Sequence, residues 1–328
     1  MREINNVLVT GGAGYVGAVL VPKLLNAGYR VKVLDLYIYG KDVLNNHPNL
    51  IQVEGDIRNR KLLEKEIPGT DAIIHLAYIS NDPSYELDPE LGKSINYDAF
   101  APLVDIAKKN AVRRFIFASS SSIYGIKDEA EVTEDLTPEP MTDYSLCKTR
   151  CEAILLSRAT DDFIVTIIRP GTVCGYSPRM RLDLVLNILT HHAIRGEITV
   201  FGGEQIRGFI HIEDMAELYK YLLELPEKRI QGKIYNAGWE NHKVISLAKI
   251  VRDEINNRIA MQIIPTDDNR SYRICSKKIE AELGFHPRHT VKDAILDMQW
   301  AFKRGWIPNS MDDDRYYNVK TMRHIKLK

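Results

Sequence analysis

Short, β-branched apolar runs alternate with stretches of helical character through the first half of the chain, and this rhythm constrains the fold more than any other feature. The runs are VLVT, VKVLD, LIQVEGD, AIIHLA and RFIFASS, with helical stretches at Tyr15–Ala27 and Ile95–Lys109. Each run is apolar nearly throughout rather than at alternate positions, as in strands buried on both faces. Strand and helix alternating in this way build a parallel sheet covered by helices on either side, so the predicted class is α/β and doubly wound. After FIVTIIRP the pattern loosens, and Gly, Pro and Arg cluster between Gly171 and Arg181 and again in FGGEQIRG. A smaller, substrate-facing region is expected there. KIYNAG, near residue 235, reads as a strand returning to the main sheet, so the expected division is discontinuous. Residues 1–175 and 209–240 are expected to form the main sheet domain, 176–208 and 241–312 the smaller substrate-binding region, and 313–328 a charged surface tail.

Charge excludes some functions. Lys and Arg number 44, and so do Asp and Glu, so the chain lacks the basic excess of a nucleic-acid-binding protein and any anion site must be local. No apolar run has the length of a membrane span, and MREINNVLVT enters a strand without a signal-peptide pattern. No membrane partner and a cytoplasmic location are expected. Cys147, Cys151, Cys174 and Cys275 lack paired zinc spacing, so packing roles without metal are expected.

TGGAGYVG, Thr10 to Gly17, directly follows the first strand and opens the first helix. Glycines at 11, 12, 14 and 17 permit a tight turn and close backbone approach, while the helix N-terminus offers unpaired N–H groups to a pyrophosphate. Together with the alternating strands, this predicts a Rossmann-type dinucleotide site, with Gly11, Gly14, Tyr15, Val16 and Gly17 on the cofactor. Asp35, ending VKVLD, is placed to accept from both adenosine ribose hydroxyls. A 2′-phosphate would meet its charge, and LYIYG supplies no adjacent Arg or Lys, so NAD is expected rather than NADP. Asp56 and Ile57, ending the third strand, are candidates for the adenine edge. His75 is expected to be a packed, backbone-bonded histidine, and His191 and His192, adjacent on a helix, to point apart.

Tyr144 and Lys148 in DYSLCK lie four residues apart and share a helix face. An ammonium beside a phenol favours phenolate, so a lowered tyrosine pKa suited to proton exchange with a substrate hydroxyl is expected. The serine run Ser119 to Ser122 ends a strand, where a parallel sheet faces its ligand crevice.

TGGAGYVG, HLAY, the serine run followed by IYG, YSLCK, RPGTV and IRGFIHIED, in this order and spacing, resemble the extended short-chain dehydrogenase/reductases that modify nucleotide sugars. The resemblance covers nearly the whole chain. It implies a Ser-Tyr-Lys catalytic set of Ser120, Tyr144 and Lys148, with Ser121 the nearest alternative to Ser120. It also implies cofactor contacts from Leu76, Ala77, Asn96, Ser119, Tyr144 and Lys148. For the substrate it implies Ser120, Arg207 as a pyrophosphate grip, Arg270 as a second phosphate ligand, and Thr172, which stands where many members carry Asn. SPRMRLDLVLN, with Arg179, Arg181 and Asn187, looks like a bacterial subgroup that includes oxidoreductases acting at C4 of GDP-heptoses. The implied activity is hydride transfer to NAD, at C4 of the sugar, in an epimerase or oxidoreductase. A 4,6-dehydratase is the near alternative, but Ser121 and Ser122 occupy the places where such enzymes carry Asp-Glu. A non-catalytic dinucleotide sensor is the reading from another class. The family also implies a homodimer joined by helices at Asn96–Lys109 and Tyr144–Ser157.

The carboxylate of Asp35 generates a first prediction. NAD binds more tightly than NADP when both dissociation constants are measured by calorimetry, and equal affinities would show that Asp35 does not face the ribose.

Overall fold

The computed structural model describes residues 3–266, 268, 270–325 and 327. Strands β1 (Asn6–Thr10), β2 (Arg30–Asp35), β3 (Leu50–Glu54), β4 (Ala72–His75), β5 (Arg114–Ala118), β6 (Ile164–Pro170), β7 (Thr172–Cys174), β8 (Glu197–Phe201), β9 (Ile206–His211), β10 (Lys233–Ala237), β11 (Glu240–Lys243) and β12 (Ala260–Ile264) form three sheets. The main sheet has seven parallel strands in the order β10-β6-β5-β4-β1-β2-β3. Its strand order reverses between β1 and β4, and the connections leaving these two strands diverge. A crevice opens at their C-terminal ends, which is where ligands bind in such sheets.

Burial on both faces explains the continuous apolar runs of β1, β4 and β5, whereas β3, at the sheet edge, departs from that expectation and leaves Ile51 exposed. In β1, Val7 and Val9 join one core with Leu20, Val21 and Leu24 of the Gly17–Asn26 helix and Met215, Leu218 and Leu222 of the Ile212–Glu224 helix. Leu8, between them, points the other way. It joins Phe115 and Phe117 of β5, Leu103 and Val104 of the Phe100–Lys109 helix, and Cys147, Cys151 and Leu155 of the Asp143–Arg158 helix. Each such buried side chain contributes roughly 1.5–3 kcal/mol, so the two cores fix both the sheet and the helices around it.

A second layer stands over the crevice. In it β9 pairs with β7 and β11, and β8 pairs with β12. Gly171 joins it to β6, and a Cβ there would lie 2.7 Å from the carbonyl oxygen of Gly208. β10, in KIYNAG, is an edge strand of the main sheet. The C-terminal stretch, expected as a surface tail, instead packs against the body. It forms a short turn at Asp314–Tyr316 and a helix at Asn318–His324, with Asn318, Thr321 and Met322 buried. Its buried polar residues, Asn318 and Thr321, are satisfied by internal hydrogen bonds, while the charged Arg315, Lys320, Arg323 and His324 stay at the surface. Among the described residues, no helix is long and apolar enough to cross a membrane.

A buried ion pair ties β6 to the Asp143–Arg158 helix, and the residue after β5 joins it. Arg169 donates from Nε and Nη2 to the two carboxylate oxygens of Glu152, at 3.0 and 2.7 Å, and the Ser119 hydroxyl donates to the same carboxylate. Glu152→Ala leaves the guanidinium buried without its counter-charge, which typically costs about 3–5 kcal/mol. Urea denaturation is expected to show a loss of that order. A loss below about 1 kcal/mol, the scale of exposed pairs, would mean that water reaches the pair.

Candidate active site

The crevice is a cleft of about 540 Å³ running from the glycine turn after β1 to the second layer. Its floor depends on backbone contact. Gly11 has φ +74°, and a Cβ on it would lie 2.5 Å from the amide nitrogen of Ala77, so the turns after β1 and β4 touch through a residue that has no side chain. Gly12 is equally confined by Val33. Gly14, Tyr15, Val16 and Gly17 line the cleft along with Gly11, Leu76 and Ala77. The helix N-cap, Val16, brings no capping side chain, and although the Ala18 and Val19 N–H groups bond the carbonyls of Gly14 and Val16, the positive dipole end of the helix faces the cleft and suits an anion. Asp35 also lines the cleft, its carboxylate fixed by the N–H groups of Ala13 (2.9 Å) and Tyr37 (2.8 Å), and burial raises its pKa above the ordinary carboxylate value. A glycine cradle that a Cβ would fill, an uncapped helix N-terminus and a terminal acid together suit a dinucleotide.

Ser120, Tyr144 and Lys148 meet at the other end. Thr142 caps the Asp143–Arg158 helix reciprocally with Ser145, which starts the helix so that Tyr144 and Lys148 lie in its first two turns on the cleft side. Ser120 stands beside the Tyr144 phenol, where its hydroxyl offsets part of the rise in the tyrosine pKa. That hydroxyl also lies 2.9 Å from the Ser122 hydroxyl, while Ser121 turns away to donate to Tyr272. Lys148 donates to the carbonyl of Ala118 at 2.5 Å, with its Nζ 3.4 Å from the centre of the Tyr78 ring. Tyr78 in turn meets Tyr144 edge-on, with ring centres 5.4 Å apart.

The electrostatics differ from the expected lowering of the tyrosine. Burial drives the Tyr144 pKa up, Asp82 adds to the rise, and Arg181, Ser120 and Arg270 offset only part of it. The Lys148 Nζ, 6.0 Å from the centre of the Tyr144 ring, is engaged elsewhere. Burial also lowers Lys148 itself to about 7, against the opposing pull of Cys151 and Glu152. His75 is held at about 3 by burial and by the charge of Lys148, and it bonds the Thr10 hydroxyl at 2.7 Å rather than a backbone group. His191 bonds Ser310, and its ring lies 6.1 Å from that of His192.

Four arginines line the cleft. Arg207 and Arg270 share Asp268, at 3.0 Å and 2.9 Å, and Arg270 also donates to Asp82. Burial would raise Asp268, but the Arg270 hydrogen bonds and the Arg207 charge bring it down to about 2. Arg181 pairs with Asp183. Arg179 lies apart from this group, stacked on Tyr39. Thr172 lines the cleft as well.

Three residues expected to touch ligands have their side chains hydrogen-bonded within the protein. The Asp56 side chain is paired with Arg58 at 2.6 Å and does not line the cleft, whereas the adjacent Ile57 does. Asn96 bonds the N–H and carbonyl of Ile79 and so braces the loop after β4. Asn187 bonds the Tyr15 hydroxyl, the Arg181 carbonyl and the Gly175 N–H. Ser119 lines the cleft, but its hydroxyl is spent on Glu152. Sequence reasoning missed Tyr39, Tyr78, Asp82, Asp268 and Asn318. The first two carried a signal, since Tyr78 directly follows HLA and Tyr39 lies four residues beyond Asp35.

Fold and cleft together define a dinucleotide-dependent enzyme built on a Rossmann sheet. Residues 7–238 match the NAD dependent epimerase/dehydratase family, and the chain belongs to that family, with NAD as its cofactor. The UDP-glucose 4-epimerase of Corynebacterium glutamicum is 28% identical over 319 residues, spanning 90% of this chain and 95% of the relative. UDP-glucuronic acid decarboxylase 1 of Danio rerio is 26% identical, spanning 87% of this chain and 70% of the relative. Among solved structures, the UDP-glucose 4-epimerase of Thermotoga maritima with UDP-glucose superposes with a TM-score of 0.83 at 25% identity, covering 91% of this chain and 99% of that one.

The depressed lysine makes stability pH-dependent. Unfolded, Lys148 holds its proton up to about 10.5; folded, it releases it near 7. Between these values the unfolded state binds more protons, so the penalty for burying the ammonium is full below pH 7 and fades toward 10.5. Lys148→Met removes that penalty. Its unfolding free energy relative to the parent, both cofactor-free, is expected to be most favourable below pH 7 and to become steadily less so up to pH 10. A difference constant across that range would show that Lys148 titrates normally.

Proposed function

We propose that this protein is an NAD-dependent epimerase or oxidoreductase acting at C4 of the sugar in a nucleotide-diphosphate sugar, through a 4-keto form. The observation that carries this reading is the gathering of Ser120, Tyr144 and Lys148 in one cleft, with the glycine turn at one end and the Arg207–Arg270 pair on its wall. Ser120 binds the C4 hydroxyl, and Tyr144 takes its proton as the C–H bond at C4 breaks. NAD, when held by the glycine turn and Lys148, would supply the hydride acceptor for C4 and the donor for its return. Lys148 holds the nicotinamide ribose, and Arg181, whose charge favours phenolate, helps Tyr144 ionise. Arg207 and Arg270 grip the diphosphate, which takes over hydrogen bonds now made to Asp268. The 4-keto sugar is then reduced with inverted configuration or released.

Dehydration is disfavoured because Ser121, bonded to Tyr272, and Ser122, bonded to Ser120, provide no carboxylate for chemistry at C5 and C6. In this reading residues 1–175 and 209–240 carry the cofactor, and 176–208 and 241–312 the substrate. The protein acts in the cytoplasm as a homodimer. Its helices Phe100–Lys109 and Asp143–Arg158 lie side by side, linked by Arg158 and Asp105 at 3.1 Å, and offer one shared surface to a second copy.

Tyr144→Phe keeps the ring but removes the proton acceptor. Fold and NAD affinity are expected to persist while turnover falls by on the order of a hundredfold to ten-thousandfold. The wild-type protein is expected to move label from a C4-deuterated nucleotide sugar to its cofactor with no solvent hydrogen entering C6. Full activity of the variant would remove Tyr144 from the chemistry, and solvent deuterium at C6 with loss of water would identify a dehydratase.

A further inference from the structure

Arg179 is the residue in the cleft whose surroundings the sugar chemistry leaves unexplained. It is 4% exposed, and its Nε and Nη1 atoms have no hydrogen-bond partner among the described residues. Its Nη2 donates to the Asn318 side-chain oxygen at 2.5 Å, and its guanidinium lies 3.5 Å from the centre of the Tyr39 ring. The nearby carboxylates are committed elsewhere, Asp183 to Arg181 and Asp35 to the backbone of Ala13 and Tyr37. A buried guanidinium with a neutral amide as its hydrogen-bonded partner carries a desolvation cost that an anion would offset. That cost also lowers its pKa to about 10.

Its location identifies the anion. The segment carrying Arg179 is pinned to the glycine turn twice: the Ser177 hydroxyl donates to the Tyr15 carbonyl at 2.7 Å, and the Tyr15 hydroxyl donates to the Gly175 carbonyl at 2.6 Å. Tyr39, under the guanidinium, lies four residues beyond Asp35 at the adenosine end. Arg179 therefore stands between the uncapped helix N-terminus and the ribose acid. Arg207 and Arg270 form a separate group around Asp268.

We propose that Arg179 is a ligand of the cofactor's pyrophosphate, not of the substrate, and that the C-terminal helix retains NAD by holding Arg179 in place through Asn318. Asn318 is the keystone of this latch. Its side chain also donates to the Ser80 hydroxyl at 3.0 Å, and its N–H donates to Asp183 at 3.1 Å, so one residue joins the tail to the loop after β4 and to the Arg179 segment. Met322 and Leu327, farther along the tail, line the same cleft. The dinucleotide is thus gripped from two sides, by the glycine turn of the main sheet and by an arm from the second layer whose position the chain's last residues set.

The proposal rests on NAD as the cofactor and not on the sugar reaction, and its readouts are binding and exchange. In the full-length chain, release of bound NAD is followed by exchange with labelled NAD. Arg179→Met is expected to release it about tenfold to a hundredfold faster, the scale of a lost charge-assisted hydrogen bond. Arg179→Lys, which keeps the charge but not the fork, falls between, and Asn318→Ala also accelerates release. By calorimetry, Arg179→Met weakens ADP-ribose, which carries the pyrophosphate, but not adenosine, and leaves UDP and GDP affinities unchanged. Unchanged NAD release overturns the proposal. So does an equal loss for adenosine, which would make Arg179 a packing residue, or a loss confined to UDP or GDP, which would assign it to the substrate.

Discussion

The contact between the turns after β1 and β4 is the constraint on which the site depends. β1 and β4 are neighbours in the sheet, yet their connections leave in opposite directions, and the crevice exists because of that divergence. The two turns come together only because Gly11 occupies a left-handed conformation with no side chain in front of Ala77. With this floor in place, the helix that begins at Gly17 directs its N-terminus into the cleft, Asp35 stands at one end, and the serines after β5 stand at the other.

Charge is distributed around that floor by local pairing. The chain is neutral overall, but charged groups crowd the cleft, and several have a specific counterpart. Glu152 answers Arg169 beneath Ser119, Asp183 answers Arg181, and Asp268 with Asp82 answers Arg207 and Arg270. Lys148 and Arg179 are different. Each is a buried cation held by neutral oxygens and aromatic faces, and burial lowers the pKa of each. Such cations are unfavourable in the empty protein and become favourable when an anion or a polar ligand arrives. They lie at opposite ends of the proposed dinucleotide path.

The same low-dielectric setting affects Tyr144. Its burial, with Asp82 close by, favours the phenol, so proximity to lysine in sequence does not by itself make a phenolate. Ionisation then depends on groups of positive charge converging on it. Arg181 reaches it from the segment after β7 and Arg270 from beyond β12, which makes the proton chemistry a property of both layers.

The sequence by itself determined the sheet, the cofactor turn and the Tyr144–Lys148 pair, because each depends on residues near one another in the chain: apolar runs, glycines at short spacing, and a helical repeat of four. It also placed Asp35 at the cleft, while the choice of Ser120 over Ser121 came from the family resemblance. Tertiary structure decided what depends on distant partners. Asp56, Asn96 and Asn187 carry the right chemistry at the right spacing, but Arg58, Ile79 and Tyr15 claim their side chains. The charged C-terminus reads as solvated until Arg179, Asp183 and Ser80 are found to satisfy its Asn318. Spacing shows which side chains can reach a face, but only the assembled fold shows which of them is already hydrogen-bonded there, because a buried polar group takes its partner from whatever the packing brings near.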